Sequence, residues 1–420
     1  MVHQVGDRLR EQIHRFSGEL CTGLGKVACR FVEEMIFGVS ASGSVVLTRI
    51  ARSLEEAISL HDTHKRLSRN LGNRAIRGRI SKKVLDDGAE RIGEETLLIV
   101  DLSDLIKKYA RRMEHLGEVR DGSEKKIGNG YWLCEVVGAE VGRSEITPLA
   151  QRLWSQKADD FVSENDEILG VVGEVLEATK KRGVLVLDRG GDRRLLYQRW
   201  VPDELIDFII RQRGDRNVLY RGRARNTLEL ARGCSTPYQT IVIREKDGKE
   251  KAYPIRFGFL PVRLVKHSDR PLWLVVVKGF GQEPMMLLTT RPMRRNRRVV
   301  WQIVEAYITR WRIEDTIRFI KNSYEFEDVR LLTYGRLQNM ASLVLAAAYF
   351  TAVRIGTQAK LKILALHVLK AAKRVFGIPD FRYYALADGI QTILRRIGKG
   401  PVRQHHETGR HPPQLILFEA

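Results

Sequence analysis

Two short segments, EETLLIVDLSDL at 94–105 and GVLVLDRGGDRR at 183–194, limit the fold of this chain more than any other feature. Each holds a continuously apolar run, residues 97–100 and 184–187, that ends at an aspartate, Asp101 or Asp188. A run that is apolar at every position predicts a strand buried on both faces, as in parallel or mixed sheets. Between them, GNGYWLCEVVGAEVGRSEITPLA (128–150) reads as strand-like runs punctuated by glycine. SENDEILGVVGEVLEATKKR (163–182) has an acidic start and a basic end, and Gly183 follows it, which predicts a helix. Strands, a helix and a further strand in this order predict a mixed α/β domain.

The same reading divides the chain. Residues 1–92 are expected to be helical, and 93–199 to form the first part of the α/β domain. Residues 200–298 are expected to be β-rich, with hairpins around the Lys-Asp-Gly of QTIVIREKDGKEKAYPIRF and the Gly-Phe-Gly of PLWLVVVKGFGQEPMMLLTT. Residues 299–372 read as helical again, and 373–420 as a helix and a tail. His405, His406 and His411 in that tail fit either a metal site or incidental histidines of a flexible end. Within the N-terminal block, Ser59 and Asp62 fit helix caps. The segment behind them carries Lys65, Arg66 and Arg69 among Leu67 and Leu71. That pattern fits a helix-turn-helix with a basic second helix, or an amphipathic helix with a solvated basic face.

Charge narrows the partners. Among 420 residues Lys and Arg number 72 against 51 Asp and Glu, a net charge of +21. Such an excess on a chain with 43% hydrophobic residues points to a folded protein and a polyanionic partner, nucleic acid or an acidic membrane surface. The apolar stretch MASLVLAAAYFTAV (340–353) has the length of a buried helix, not of a membrane span, and no membrane partner is expected. The N-terminal segment MVHQVGDRLREQIHRF lacks the apolar core of a signal peptide. Cys21, Cys29, Cys134 and Cys234 are scattered and form no C-x-x-C pair, which suits a reducing compartment. A cytoplasmic protein is expected.

The candidate chemistry lies in carboxylates. One aspartate at the end of a buried strand is as well explained as a cap of the following loop. Two such residues on strands of one sheet favour a metal site, because a desolvated carboxylate needs a cation or donors. A third acid comes from YITRWRIEDTIRFIK (307–321). With Tyr307 at zero on a helical wheel, Arg310, Glu314 and Lys321 fall at about 300°, 340° and 320°. This stripe is edged by Ile313, Ile317 and Ile320 on one side and by Val304, Ile308 and Trp311 on the other. It therefore faces inward or toward a large partner. Asp101, Asp188 and Glu314 offer only hard oxygen donors, which suits two Mg²⁺ or Mn²⁺ ions and phosphoryl transfer.

These residues carry a resemblance. YITRWRIEDTIRFIK fits Y-x2-R-x3-E-x6-K, the signature of the insertion-sequence-four group of bacterial DDE transposases, and the two aspartate strands resemble those of that family. The resemblance extends over about 93–340. It implies a ribonuclease H-like fold interrupted by a β-rich insertion domain, an N-terminal region that binds DNA ends, and a helical C-terminal region. It further implies that Asp101, Asp188 and Glu314 are the catalytic, metal-binding residues. Tyr307, Arg310 and Lys321 are implied DNA contacts, with Arg189 and Arg312 as further basic contacts. The implied reaction is cut-and-paste transposition: strand cleavage at the terminal inverted repeats and transfer into target double-stranded DNA by a homodimer acting in a synaptic complex. A well-known member stacks an insertion-domain Trp on a flipped base during a hairpin step. Met285 stands at that place here, and Trp273 lies on the preceding strand. Other readings of the same residues are a non-catalytic DNA-binding protein descended from a transposase, and a stand-alone metal-dependent nuclease.

Overall fold

The computed structural model describes residues 2–120, 126–246, 249–267, 269–356, 362–372, 383–398 and 400–401. The tail histidines, and the Asp-Gly of the first expected hairpin turn, lie outside the described residues.

The chain opens with helices α1 (Val2–Leu20), α2 (Lys26–Ser42), α3 (Leu47–Ser53), α4 (Leu60–Asn70) and α5 (Ala75–Ala89). Ser59 caps α4 as its position predicts, accepting from the Asp62 amide at 3.1 Å. On the same helix Arg66 turns inward. It pairs with Glu34 at 2.5 Å and Glu56 at 2.7 Å, and Arg30 closes the network at 2.8 Å to each acid. Lys65 and Arg69 stay exposed.

Strands β1 (Leu97–Ile106), β2 (Gly117–Arg120), β3 (Ile127–Ala139) and β4 (Ile146–Trp154) follow, then α6 (Glu164–Ala178), β5 (Val184–Leu187) and α7 (Arg194–Trp200). Ser163 caps α6, accepting from the Asp166 amide at 3.2 Å, and Glu164, Asp166 and Glu167 complement the helix dipole. Next come β6 (Asp207–Arg211), β7 (Asn217–Tyr220), β8 (Arg223–Asn226), α8 (Thr227–Gly233), β9 (Tyr238–Lys246), β10 (Lys249–Leu264), β11 (Leu272–Lys278) and β12 (Met285–Thr289). The chain then continues through α9 (Arg297–Thr309), α10 (Trp311–Ser323), α11 (Tyr334–Tyr349), α12 (Lys362–Ala371) and α13 (Tyr383–Ile397).

One mixed sheet organises these strands in the order β2-β3-β1-β5-β6-β12-β11-β10-β7-β8, with β4 beside β3 and β9 beside β10. β1 runs antiparallel to β3 and parallel to β5, and β5 runs parallel to β6. β6 falls inside the expected 200–298 block, yet it pairs with both β5 and β12. The β-rich block thus continues the central sheet.

Both faces of the central strands are covered, which explains their unbroken apolar runs. Leu97, Ile99, Val184 and Val186 join the core containing α2 and α11, whereas Leu98, Val100, Leu185 and Leu187 pack with residues of α6 and α7. α11 is buried without interruption from Asn339 to Tyr349, as the apolar stretch that forms it predicts. Asp101 and Asp188 continue the parity of Ile99 and Val186, so they share the sheet face of α11.

Candidate active site

β5 ends at Leu187, and Asp188 follows at its carboxyl end as its sequence predicts. β1 differs: it runs five residues past Asp101 to Ile106, so this aspartate lies within the strand. The cause is pairing. Asp101 to Ile106 stay in register with β3 as far as Gly130, although the apolar run has ended. Asp101 stands directly opposite Glu135, an acid that the sequence reading passed over. The one signal for Glu135 was a lone charge in the apolar run WLCEVVG.

Glu135 is buried, 3% exposed. It accepts from Gln151 Nε2 at 2.9 Å and from Ser103 Oγ at 3.4 Å. Burial pushes its carboxyl up to about 7, against the lowering influence of Lys321, Gln151 and Ser103. Asp101 is likewise pushed up to about 7 by burial. Arg310 pulls it down, Asp188 raises it, the Leu102 amide lowers it and Glu314 raises it. The three predicted acids therefore share one electrostatic neighbourhood.

The third acid arrives on a helix that is broken, contrary to the single wheel. α9 ends at Thr309, Arg310 links the two helices, and α10 starts at Trp311. Tyr307 is fully buried on α9, and its hydroxyl has no hydrogen-bond partner among the described residues. The Arg310 guanidinium lies 5.7 Å from the centre of that ring. It also reaches Asp101 at 3.7 Å and Glu314 at 3.1 Å, while being only 6% exposed itself. Burial pulls the Arg310 pKa down, but Tyr307, Asp101, Asp188 and Glu314 outweigh it and leave the pKa raised. The Glu314 side chain is 53% exposed.

Lys321 is tied to β1 and to the turn after α10. Its ammonium donates to the Asp104 carbonyl and lies 3.8 Å from the Asp104 carboxylate and 3.3 Å from Glu327. Buried Lys107 holds the same turn, donating to the Glu327 and Val329 carbonyls at 2.5 Å each. Arg189 is exposed, and the Arg312 side chain lies outside the described residues.

Asp192 is a second residue that sequence reasoning missed. Its side chain is fully buried, accepting from Arg216 Nε at 2.7 Å and from the Arg213 amide at 2.9 Å. It bolts the loop after Asp188 to the segment before β7.

Met285 is buried on β12 opposite Val277, and Trp273 is half-buried opposite Thr289. Aromatic contacts instead join the β-rich block to α10: Tyr253 to Phe280 at 5.6 Å, and Phe280 edge-on to Trp311 at 6.2 Å.

Among the described residues, no three His, Cys, Asp or Glu side chains stand close enough to close on one metal ion. Arg310, touching both Asp101 and Glu314, lies between those two acids.

A cryo-EM structure of piggyBac transposase in a synaptic complex with hairpin DNA is similar over 96% of this chain and 82% of that chain, with 11% identity and a TM-score of 0.45. Residues 162–350 match the transposase DDE domain family, a stretch that includes Asp188, Tyr307, Arg310, Glu314 and Lys321 but not Asp101.

Proposed function

We propose that this chain is the transposase of an insertion sequence, cleaving the DNA at the element's ends and joining them to target DNA. The observation that carries this reading is the shared field of Asp101, Asp188 and Glu314 around buried Arg310. The stretch that matches the transposase DDE domain family spans two of the three acids, Asp188 and Glu314. The order β4-β3-β1-β5-β6, antiparallel across the first three strands and parallel across the last three, supports the ribonuclease H-like reading.

By its chemistry the donor set suits a hard divalent cation. It consists of carboxylate oxygens alone, and burial disfavours the ionised form of Asp101, a cost that Arg310 offsets only in part and a bound cation would offset further. Asp101, Asp188 and Glu314 are the residues that would hold Mg²⁺ or Mn²⁺. When bound, such ions activate a water or a 3′-hydroxyl and stabilise the leaving oxygen.

The rest of the site is the work of the chain. Arg310 stays protonated at every working pH, so it holds the acids' charge together in the absence of a cation. Its five donors suit a phosphate as well as a carboxylate, and it can pass from one to the other as DNA enters. Lys321, tied through Asp104 to the strand that bears Asp101, sets a second positive charge at a fixed offset from the first. Duplex DNA with terminal inverted repeats is the proposed substrate, and a homodimer that brings two ends together is the proposed assembly.

A strand-transfer assay with Mg²⁺, on duplexes carrying the repeats that flank the gene, tests this reading. Nicked ends and end-to-target joined products are expected. Nicks without joined products make the chain a nuclease only, and no cleavage removes the enzymatic reading.

A further inference from the structure

Between Arg216 and Arg225 the sequence reads RNVLYRGRAR, with no acid. The structure folds it into a two-stranded ribbon at the outer edge of the sheet: β7 and β8 pair from Asn217↔Asn226 to Tyr220↔Arg223. The turn is Arg221-Gly222, with φ of 49° and 77°. Positive φ at both central positions defines the tight hairpin turn that Asn-Gly fills most readily, and glycine at the second position meets the need. Arginine at the first position is disfavoured there, and a residue kept against local preference calls for a reason outside the turn.

Its surroundings supply one. Arg221, Arg223 and Arg225 are all exposed. None of them has an acidic partner among the described residues, whereas Arg216, Arg232, Arg270 and Arg291 nearby are all paired with acids. Arg223 and Arg225 project from one face of β8, the face they share with Tyr220, and the Arg221 guanidinium lies 5.2 Å from the Tyr220 ring centre. Charges two residues apart on a strand repeat about every 6.7 Å. Such a ribbon is narrow enough for the major groove of B-DNA, about 12 Å wide.

The ribbon is also mechanically joined to the candidate active site. Arg216 at its base pairs with buried Asp192, and Arg213 donates through its side chain to the Arg189 carbonyl at 3.1 Å and through its amide to Asp192. Both acceptors belong to the loop that begins at Asp188. From Arg216 to the tip at Arg221 the strand extends at most ~17 Å, less than one helical turn of B-DNA, about 34 Å.

We infer that the β7–β8 hairpin is a duplex-DNA clamp: Arg221, Arg223 and Arg225 grip phosphates within one helical turn of the phosphate presented to Asp188, and Asp192–Arg216 holds the clamp in register with the site. This rests on the transposase reading and adds to it a surface for the DNA outside the acids.

The test uses the full chain and a 30-base-pair mixed-sequence duplex, with affinity measured by fluorescence anisotropy across a KCl series. The variant R221N/R223A/R225A places Asn where the turn favours it, so the ribbon keeps its conformation, which an unchanged melting curve checks. Its logarithmic salt slope should be shallower than wild type by about 2 to 3, and its affinity at 0.1 M salt about tenfold weaker or more. The R221K/R223K/R225K variant should keep the wild-type slope. Wild-type slope and affinity in the neutral variant overturn the clamp and leave the transposase reading standing. No duplex binding by the wild type removes both.

Discussion

The Arg310 guanidinium stands 3.7 Å from the Asp101 carboxylate, joining the helix break to the middle of the central strand. Arg310 is the cation that pulls the Asp101 carboxyl down most, so removing it leaves a buried acid facing two others. In Arg310→Ala, without divalent cation, the Asp101 carboxyl should titrate above 7, and Arg310→Lys should restore part of the shift. Carbon-detected NMR titration of labelled aspartates reads this directly. An unmoved Asp101 titration would show that the contact carries no electrostatic weight.

The same carboxyl makes folding stability depend on pH. Burial raises Asp101 from 3.8, and Glu135 from 4.5, to about 7 each, so the folded chain keeps protons that the unfolded chain releases. Stability should therefore be greatest below about 4 as far as these groups are concerned, fall as pH rises to about 7, and carry the full penalty above it. Asp101→Asn removes one of the two contributions. At pH 8 without divalent cation it should stabilise the protein by up to roughly 4 kcal/mol. Urea unfolding of wild type and variant at pH 5 and pH 8 measures the change, and an equal stability difference at both values contradicts the assignment.

Tyr307 offers a cleaner separation of fold from function. Its hydroxyl is buried without a partner among the described residues, so Tyr307→Phe should leave stability unchanged or raise it by about 1 kcal/mol. If the hydroxyl meets DNA when the site engages its substrate, cleavage should fall in the same variant. A stable variant with full cleavage would confine Tyr307 to packing beneath Arg310.

In the N-terminal helices, Arg66 should matter for stability and not for DNA. It bridges Glu34 and Glu56, whose side chains are 4% and 5% exposed. Arg66→Ala leaves two nearly buried carboxylates short of a cation and should cost about 3 kcal/mol. Lys65→Ala and Arg69→Ala should cost little stability and weaken duplex binding. Thermal melts and anisotropy on the three variants test the split.

The strands that carry Asp101 and lead to Asp188 were legible in the sequence because they are buried on both faces, and unbroken apolar runs before the two aspartates record that burial. The cap at Ser59 was legible for a local reason, a side-chain oxygen one turn before free amides. Features fixed by tertiary contact were not. No Gly or Pro marks the break at Arg310, and a continuous helical pattern hid it. Glu135 reads as an interruption of a strand until β3 is paired with β1 and sets it opposite Asp101. Arg66 reads as one of several basic residues until Glu34 and Glu56 close around it.

In the proposed mechanism Asp101, Asp188 and Glu314 form one metal-dependent catalytic set. The most direct measurement is Mg²⁺-dependent cleavage of flanking-repeat duplexes by Asp101→Asn, Asp188→Asn and Glu314→Gln, each checked for wild-type duplex affinity. Each single variant should lose at least about a thousandfold in cleavage rate while still binding DNA, and a double variant should lose little more, as expected of residues that act as a unit. Wild-type cleavage in any one of the three contradicts the account.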